Sequence, residues 1–192
     1  AQVGKAITVI ASYTDGHGTA ESLSSSATGI VANINDLPTG SLTISGTATQ
    51  GQTLIVSNTL ADLDGLGNIS YQWRADGSNI NGATGSFLVL AEPQVGKAIT
   101  VVASYTDGHN TPETLTSAQT IPVVNVNDAP TITSSGGGVT AAVSMAENST
   151  LVTTMTVTDP DAGATQSYSL SGADAALFAI DARRGKLTDP AA

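Results

Sequence analysis

The sequence predicts an all-β fold, and three observations support this prediction. The chain contains 20 glycines and only 4% aromatic residues among many Thr, Ser and Val, which suits short strands joined by turns. No long stretch carries a helical stripe of apolar residues with capping residues at its ends. One segment also returns after 92 residues, a period long enough for a whole domain of strands.

The repeat begins as QVGKAITVIASYTDGH from Gln2 and returns as QVGKAITVVASYTDGH from Gln94. Between residues 2–39 and 94–131, 26 of 38 positions are identical without a gap. The period is far longer than that of ankyrin or leucine-rich repeats and is close to the size of one Ig-like sandwich. Each repeat is therefore expected to form a domain.

The domain boundaries are predicted from the ends of the repeated segment, which are NINDLPT at residues 33–39 and NVNDAPT at residues 125–131. Asn-Asp followed closely by Pro ends a strand and restarts the chain in an extended conformation. We therefore predict the C-terminal part of one Ig-like repeat at residues 1–36, a complete repeat at 37–128 and the N-terminal part of a third repeat at 129–192.

Six segments of the complete repeat are predicted strands, because they combine β-branched residues with turn residues at their ends. They are SLTISG (41–46), QTLIVSN (52–58), ISYQWRAD (69–76), SFLVLA (86–91), KAITVVASYTD (97–107) and QTIPVVNV (119–126). Trp73 alternates with Tyr71 in the third of them. A Trp on the third strand of a sandwich usually anchors the core, so we predict that Trp73 is buried, with stacking on a sugar as the alternative.

Composition excludes several classes of partner and chemistry. A net charge of -10 repels the phosphate backbone of nucleic acids. The chain has no cysteine, so it has no disulfide, zinc thiolate site or thiol nucleophile. No apolar run approaches the roughly 18 residues of a membrane helix, so we expect no membrane insertion of this segment. His17 and His109 are the two histidines, and both follow Asp-Gly at equivalent positions in a predicted turn. Neither lies in a catalytic or metal-ligand motif, so we expect no enzyme activity.

Two sets of motifs resemble repeats of bacterial surface proteins. LADLDGLGNISYQW, VGKAITVVASYTDG and the VNDAP junction resemble the Ig-like repeats of giant, RTX-like bacterial adhesins that are exported by type I secretion. AEN at 146–148, TDPDAG at 158–163 and LFAIDARRGKLT at 177–188 resemble a bacterial cadherin-like repeat. The resemblance implies tandem Ig-like and cadherin-like β-sandwiches in an extracellular protein, either on the bacterial cell surface or secreted.

The two kinds of repeat also align with each other, because GQTL at residues 51–54 and NSTL at 148–151 precede acidic pairs at equal spacing. The alignment matches Asp62 and Asp64 with Asp159 and Asp161, and it places Gln50 where the third repeat has Glu147. In a seven-strand sandwich, the incoming linker and two of the turns lie at the same end. The acidic pairs are therefore expected to lie beside the Asn-Asp linkers.

This placement predicts a group of oxygen-bearing side chains at each junction. The first group is Asn33, Asn35, Asp36, Asp62, Asp64 and Asp107, and the second is Glu92, Asn125, Asn127, Asp128, Asp159 and Asp161. Such carboxylates would repel one another without a cation, and hard oxygen ligands suit Ca²⁺. Cadherin-like junctions bind calcium, so the resemblance implies the same here. The alternative is that the aspartates are only turn residues.

The sequence favours a structural role over a catalytic one. Our first hypothesis is the extender, or stalk, of a bacterial adhesin, whose calcium-bound junctions join neighbouring repeats of the same protein. The alternatives are an adhesive module that contacts glycans or other cells, and an accessory region of a secreted hydrolase. Residues 1–36 and 129–192 are predicted to carry complementary parts of a sandwich. Either these boundaries are an accident of truncation, or the chain associates with itself head to tail.

Overall fold

Short β-strands make up the computed structural model of this chain, which describes residues 2–135, 137–138 and 142–191. The described residues contain no α-helix and only two 3₁₀ turns, at Glu92–Gln94 and Ala175–Leu177, so the all-β prediction is confirmed. In chain order the strands are β1 (Ile10–Thr14), β2 (Ala20–Ser24), β3 (Leu42–Ser45), β4 (Thr53–Asn58), β5 (Ser70–Ala75), β6 (Ser78–Asn79), β7 (Phe87–Val89), β8 (Ile99–Thr106), β9 (Pro112–Thr116), β10 (Thr131–Ile132), β11 (Leu151–Thr154), β12 (Val157–Thr158), β13 (Ala179–Ile180) and β14 (Lys186–Thr188).

The strands form several small sheets. β1 and β2 pair as an antiparallel hairpin. Residues 37–128, which are the predicted complete repeat, contain a three-stranded sheet in the order β3-β4-β7 and a four-stranded sheet in the order β6-β5-β8-β9. The last part of the chain contains the pair β10-β12 and the sheet β11-β14-β13. This arrangement is consistent with β-sandwich architecture.

The apolar core lies in the complete repeat, since every apolar residue that is buried falls between residues 42 and 123 of the described chain. Strand β8 shows why: its burial alternates along the strand, as period-2 side-chain placement requires. The inward residues are Ile99, Val101, Ala103 and Tyr105. Trp73 is fully buried, and its indole Nε1 donates to the Gly85 carbonyl at 2.9 Å, so the core prediction for Trp73 is confirmed.

The sixth predicted strand, at residues 119–126, is wrong in position. The strand that follows β8 and pairs with it is β9, at Pro112–Thr116. Residues 119–126 contribute only the isolated parallel bridges of Val123 and Val124. After β9 ends, side-chain hydroxyl groups accept from the backbone of β8. Val101 N donates to Ser117 Oγ and Ile99 N donates to Thr120 Oγ1, both at 3.0 Å. Side-chain acceptors of this kind interrupt a regular ladder.

Contacts between Cα atoms divide the chain into two units. The first consists of Ala1–Ser45, Ile55–Leu88 and Ile99–Thr120, and the second of Gly46–Leu54, Val89–Ala98 and Ile121–Ala192. Each unit contains one of the two predicted junctions, which are described separately below. The domain boundaries predicted after residues 36 and 128 stay predictions, and residues 1, 136, 139–141 and 192 of the predicted end segments lie outside the described residues.

Candidate metal centre

At the second junction, the DPD turn holds the linker through its second aspartate. Asp161 N donates to Asp159 Oδ1 at 2.9 Å, which is the local hydrogen bond that favours Asp in turns. The Asp161 carboxylate then accepts two hydrogen bonds from the linker. Asn125 Nδ2 donates to Oδ1 at 2.8 Å and Asp128 N donates to Oδ2 at 2.9 Å. Asp161 therefore organises the backbone around Asp128.

Two turns of the complete repeat bring further polar groups to this linker. Gln50 lies in the turn before β4, and Glu92 begins the 3₁₀ turn that follows β7. Gly51 N donates to the Leu90 carbonyl at 2.8 Å, which ties these two turns together. Gln50 N donates to the Val124 carbonyl at 2.9 Å, which ties them to the start of the linker. Glu92 consequently lies near the linker.

The result is the carboxylate cluster, formed by Glu92, Asp128 and Asp161. One carboxylate oxygen from each residue lies within 4.8 Å of the others, and all three residues are half-buried. Glu92 Oε2 is buried and has no hydrogen-bond partner among the described residues. Three like charges repel at this separation, and oxygen donors are what hard divalent cations prefer. The carboxylate cluster could therefore bind a metal ion.

Gln50 places a neutral amide where a further carboxylate was expected from the alignment with the third repeat. Its Nε2 donates to Asp128 Oδ2 at 2.7 Å, and its Oε1 accepts from Val126 N at 3.0 Å. Both ends of the amide therefore hold the linker without any cation. The same amide already occupies one of the two carboxylate oxygens of Asp128.

Replacing Gln50 with Glu is expected to make the junction more dependent on a cation. Glu loses the donor to Asp128 and adds a fourth negative charge, so the variant should melt at a lower temperature in chelator. It should bind Ca²⁺ on the order of tenfold more tightly, because charge count tunes affinity at such sites. Calorimetric titration measures this, with Gln52→Glu, an exposed position nearby, as the matched control. Equal Ca²⁺ affinity in the two variants would contradict the role of Gln50.

The first junction repeats the same three hydrogen bonds with different residues. Asp64 N donates to Asp62 Oδ1 at 2.8 Å, and Asp64 Oδ2 accepts from Asn33 Nδ2 at 3.2 Å and from Asp36 N at 2.7 Å. The backbone hydrogen bond from Asp36 is the main reason why the pKa of Asp64 lies below its ordinary value, since burial of the carboxyl acts in the opposite direction. The two acidic pairs that the alignment matches therefore make equivalent hydrogen bonds to their linkers.

Asp107 supports the same junction from the turn between β8 and β9. Its Oδ1 accepts from His109 N at 2.9 Å and from Thr111 N at 2.7 Å, whereas its buried Oδ2 has no hydrogen-bond partner among the described residues. Gly108 N donates to the Asp64 carbonyl at 3.1 Å, and a Cβ at Gly108 would lie only 2.5 Å from that carbonyl oxygen. Glycine at this position therefore allows the two turns to approach.

Sequence reasoning missed two participants of the first junction, Glu113 and Tyr105. Glu113 is buried and its Oε1 accepts from Asn35 Nδ2 at 2.7 Å. The Tyr105 hydroxyl donates to Asp62 Oδ2. Burial, that hydrogen bond and the negative charges of Asp62, Glu113 and Asp107 all raise the pKa of Tyr105. The recurrence of Glu113 as Glu21 in the repeat was the signal available in the sequence.

The structure therefore brings only some of the predicted metal ligands together. Only Glu92, Asp128 and Asp161 form a three-carboxylate group in the part of the chain that is described. Asp159 supports the turn of Asp161. Asn127 donates to the neighbouring Asp128 carbonyl at 3.2 Å. At the first junction, the aspartates make the hydrogen bonds expected of turn residues. Calcium binding there stays a prediction.

The two histidines lie in turns, as predicted. His17 N and His109 N each donate to the Asp two residues earlier, both at 2.9 Å, and His109 Nδ1 also lies 3.4 Å from Asp64 Oδ1. The basic group of Arg183, Arg184 and Lys186 begins in a turn. There, Arg184 contacts Asp181 at 3.7 Å and remains largely exposed.

Comparison with protein-family models, with curated proteins and with solved structures gives no match for this chain. Within the described residues, no helix is long and apolar enough to cross a membrane.

Proposed function

We propose that this chain is part of an extracellular bacterial stalk, in which tandem Ig-like and cadherin-like sandwiches carry another domain away from the cell. The observation that carries the proposal is the recurrence of one junction geometry. The second Asp of an acidic pair accepts the linker Asn side chain and the linker Asp backbone at both junctions. A chain that joins its repeats by the same contacts each time is suited to extension rather than to catalysis.

Calcium is the cation that we propose for the carboxylate cluster. Three carboxylates, which can each bind through one or two oxygens, can supply up to six oxygens, the lower end of the 6 to 8 that Ca²⁺ takes. Mg²⁺ demands a smaller octahedral arrangement and gives up its waters reluctantly. The hydrogen bonds of Gln50 and Asp161 hold the linker in the absence of a cation, so calcium would stiffen a junction that is already formed.

Small-angle X-ray scattering tests the stalk proposal. The maximum dimension is expected to increase, and the scattering to change toward that of a stiffer chain, between chelator and several millimolar Ca²⁺. The same titration with Mg²⁺ is the control and should have a smaller effect. Identical scattering in chelator and in Ca²⁺ would contradict the proposal that calcium stiffens the chain.

A glycan-binding role has less support. The only Trp of the chain is fully buried and its indole nitrogen is already bonded to a carbonyl, so it is not available to stack on a sugar. We therefore propose the structural role alone.

A further inference from the structure

One sheet of the predicted complete repeat carries no charged residue. Its three strands, β3, β4 and β7, lie within residues 37–61 and 77–91, and neither segment contains Asp, Glu, Lys or Arg. The other sheet, by contrast, carries Arg74 on β5 and Glu113 on β9. A chain with a net charge of -10 repels other copies of itself. The uncharged sheet is therefore a surface that a second copy can approach with little repulsion.

The outward face of this sheet is exposed and partly apolar. Burial alternates along β4 and β7, so Leu54 and Leu88 are buried in the core and the residues between the buried ones point outward. Among the outward residues, Ile55 is 51%, Phe87 is 59% and Val89 is 54% exposed. Exposed apolar side chains that lie together on one face are typical of protein contact surfaces. Hydroxyl residues make up the rest of the face, at Thr43, Ser45, Thr53 and Ser57.

Strand β7 forms one edge of this sheet, because among the described residues it pairs only with β4. Val56 N donates to the Ser86 carbonyl and Leu90 N donates to the Gln52 carbonyl, both at 2.9 Å, so the two strands run antiparallel. The backbone groups of Ser86 and Leu90 thus face β4. Because successive residues of a strand turn their backbone groups to opposite sides, those of Phe87 face the open edge.

The sequence of β7 does nothing to discourage pairing at this edge. Natural edge strands are usually protected by charged side chains or by Pro, and residues 84–91 contain neither. Strands precede and follow β7 in the chain, and none of those described pairs with its open edge. In the register of β4 and β7, Ile55 lies opposite Phe87, so the exposed apolar side chains extend to the edge itself.

We infer that this sheet binds the same sheet of a second copy of the chain, edge to edge through β7. An antiparallel pairing about a two-fold axis at Leu88 sets Phe87 of each copy opposite Val89 of the other. It joins two three-stranded sheets into one and keeps both apolar faces on the same side. Aromatic and β-branched residues make favourable pairs across antiparallel strands. Because both copies use the same surface, the contact closes at two copies.

The two-fold axis reverses the direction of every strand of this sheet in the second copy. If the chain is part of a stalk, as proposed above, two stalks joined in this way run in opposite directions, as stalks from facing cells do. This consequence rests on the proposed function, whereas the dimer itself does not. The dimer is therefore measured in chelator, where a failure of calcium to stiffen the chain does not affect the result.

The first test measures the mass of the chain by light scattering over a concentration series in chelator. The wild type should change from the 19.1 kDa monomer to a dimer, and added salt should favour the dimer because it screens the repulsion between acidic copies. Phe87→Lys should weaken dimerisation at least about tenfold, because it removes an apolar contact and brings two like charges together near the axis. Thr43→Lys adds the same charge to the same face, but on β3 at the far edge of the sheet. This matched control should dimerise like the wild type.

The second test follows the hydrogen exchange of backbone amides by mass spectrometry. Peptides that contain β7 should exchange more slowly at concentrations where the dimer forms, because the amides of Phe87 and Val89 become hydrogen-bonded to the second copy. Peptides that contain β3 are the control and should exchange at an unchanged rate. A wild type that stays monomeric at its highest soluble concentration would overturn the inference and point to a partner other than this chain. Equal dimerisation of the two Lys variants, or unchanged exchange along β7 in the dimer, would also overturn it.

Discussion

Replacing Trp73 with Ala is expected to lower the free energy of unfolding by about 3 to 5 kcal/mol, because the substitution leaves a large cavity in a packed core. Trp73 is fully buried, and it lies opposite Val101 on the neighbouring strand. The variant also leaves the Gly85 carbonyl without its indole donor. Chemical denaturation followed by far-UV circular dichroism measures the loss, since the variant has no Trp for fluorescence.

Trp73→Phe is the matched control for this prediction. Phe keeps most of the buried apolar volume and loses the hydrogen bond to Gly85, so its cost should be clearly smaller than that of Ala. In the wild type, the fluorescence of Trp73 should be blue-shifted and should not respond to added sugars. A loss of less than about 1 kcal/mol in Trp73→Ala would contradict a core role.

Calcium is expected to stabilise the folded chain by about 2.7 kcal/mol at a hundredfold excess over the dissociation constant, because it binds the folded form and not the unfolded form. The melting temperature should rise accordingly between chelator and excess Ca²⁺. Glu92→Gln should remove most of this rise, since it removes one charge from the carboxylate cluster while keeping the size of the side chain. In chelator, the same variant should be at least as stable as the wild type, because a repulsion is relieved.

Glu147→Gln is the matched control, because Glu147 is exposed and lies outside the carboxylate cluster. It should retain the full response to Ca²⁺. An unchanged melting temperature of the wild type between chelator and several millimolar Ca²⁺ would show that the carboxylate cluster does not hold calcium. An equal Ca²⁺ response in Glu92→Gln and Glu147→Gln would show that the ion binds elsewhere.

Features that depend on neighbouring residues were predicted well from the sequence. Five of the six predicted strands of the complete repeat contain an observed strand, because alternating apolar residues and turn residues are local signals. The sixth was placed at 119–126 because this segment is rich in β-branched residues, which favour strands. The actual ladder continues there through the hydroxyls of Ser117 and Thr120, which a propensity pattern does not reveal.

The sequence predicted some residues of the candidate site but not all of its contacts. Asp64 and Asp161 were expected at the junctions, and each accepts the linker backbone. Glu113 was missed because it lies on strand β9. The alternation of side chains along a strand indicates which face of the sheet Glu113 lies on, but not that it contacts the linker. Gln50 was only matched with Glu147 of the third repeat, whereas its amide bonds both Asp128 and Val126.

The sequence by itself determined the repeat, the all-β class and the turn geometry of each acidic pair. These depend on residue spacing and on hydrogen bonds between residues two positions apart. Only the tertiary structure decided that Glu92, Asp128 and Asp161 meet, and that Glu113 accepts a hydrogen bond from Asn35 of the linker. Such contacts join turns and strands that are far apart in the chain, so they depend on which strands pair and which edges stay open.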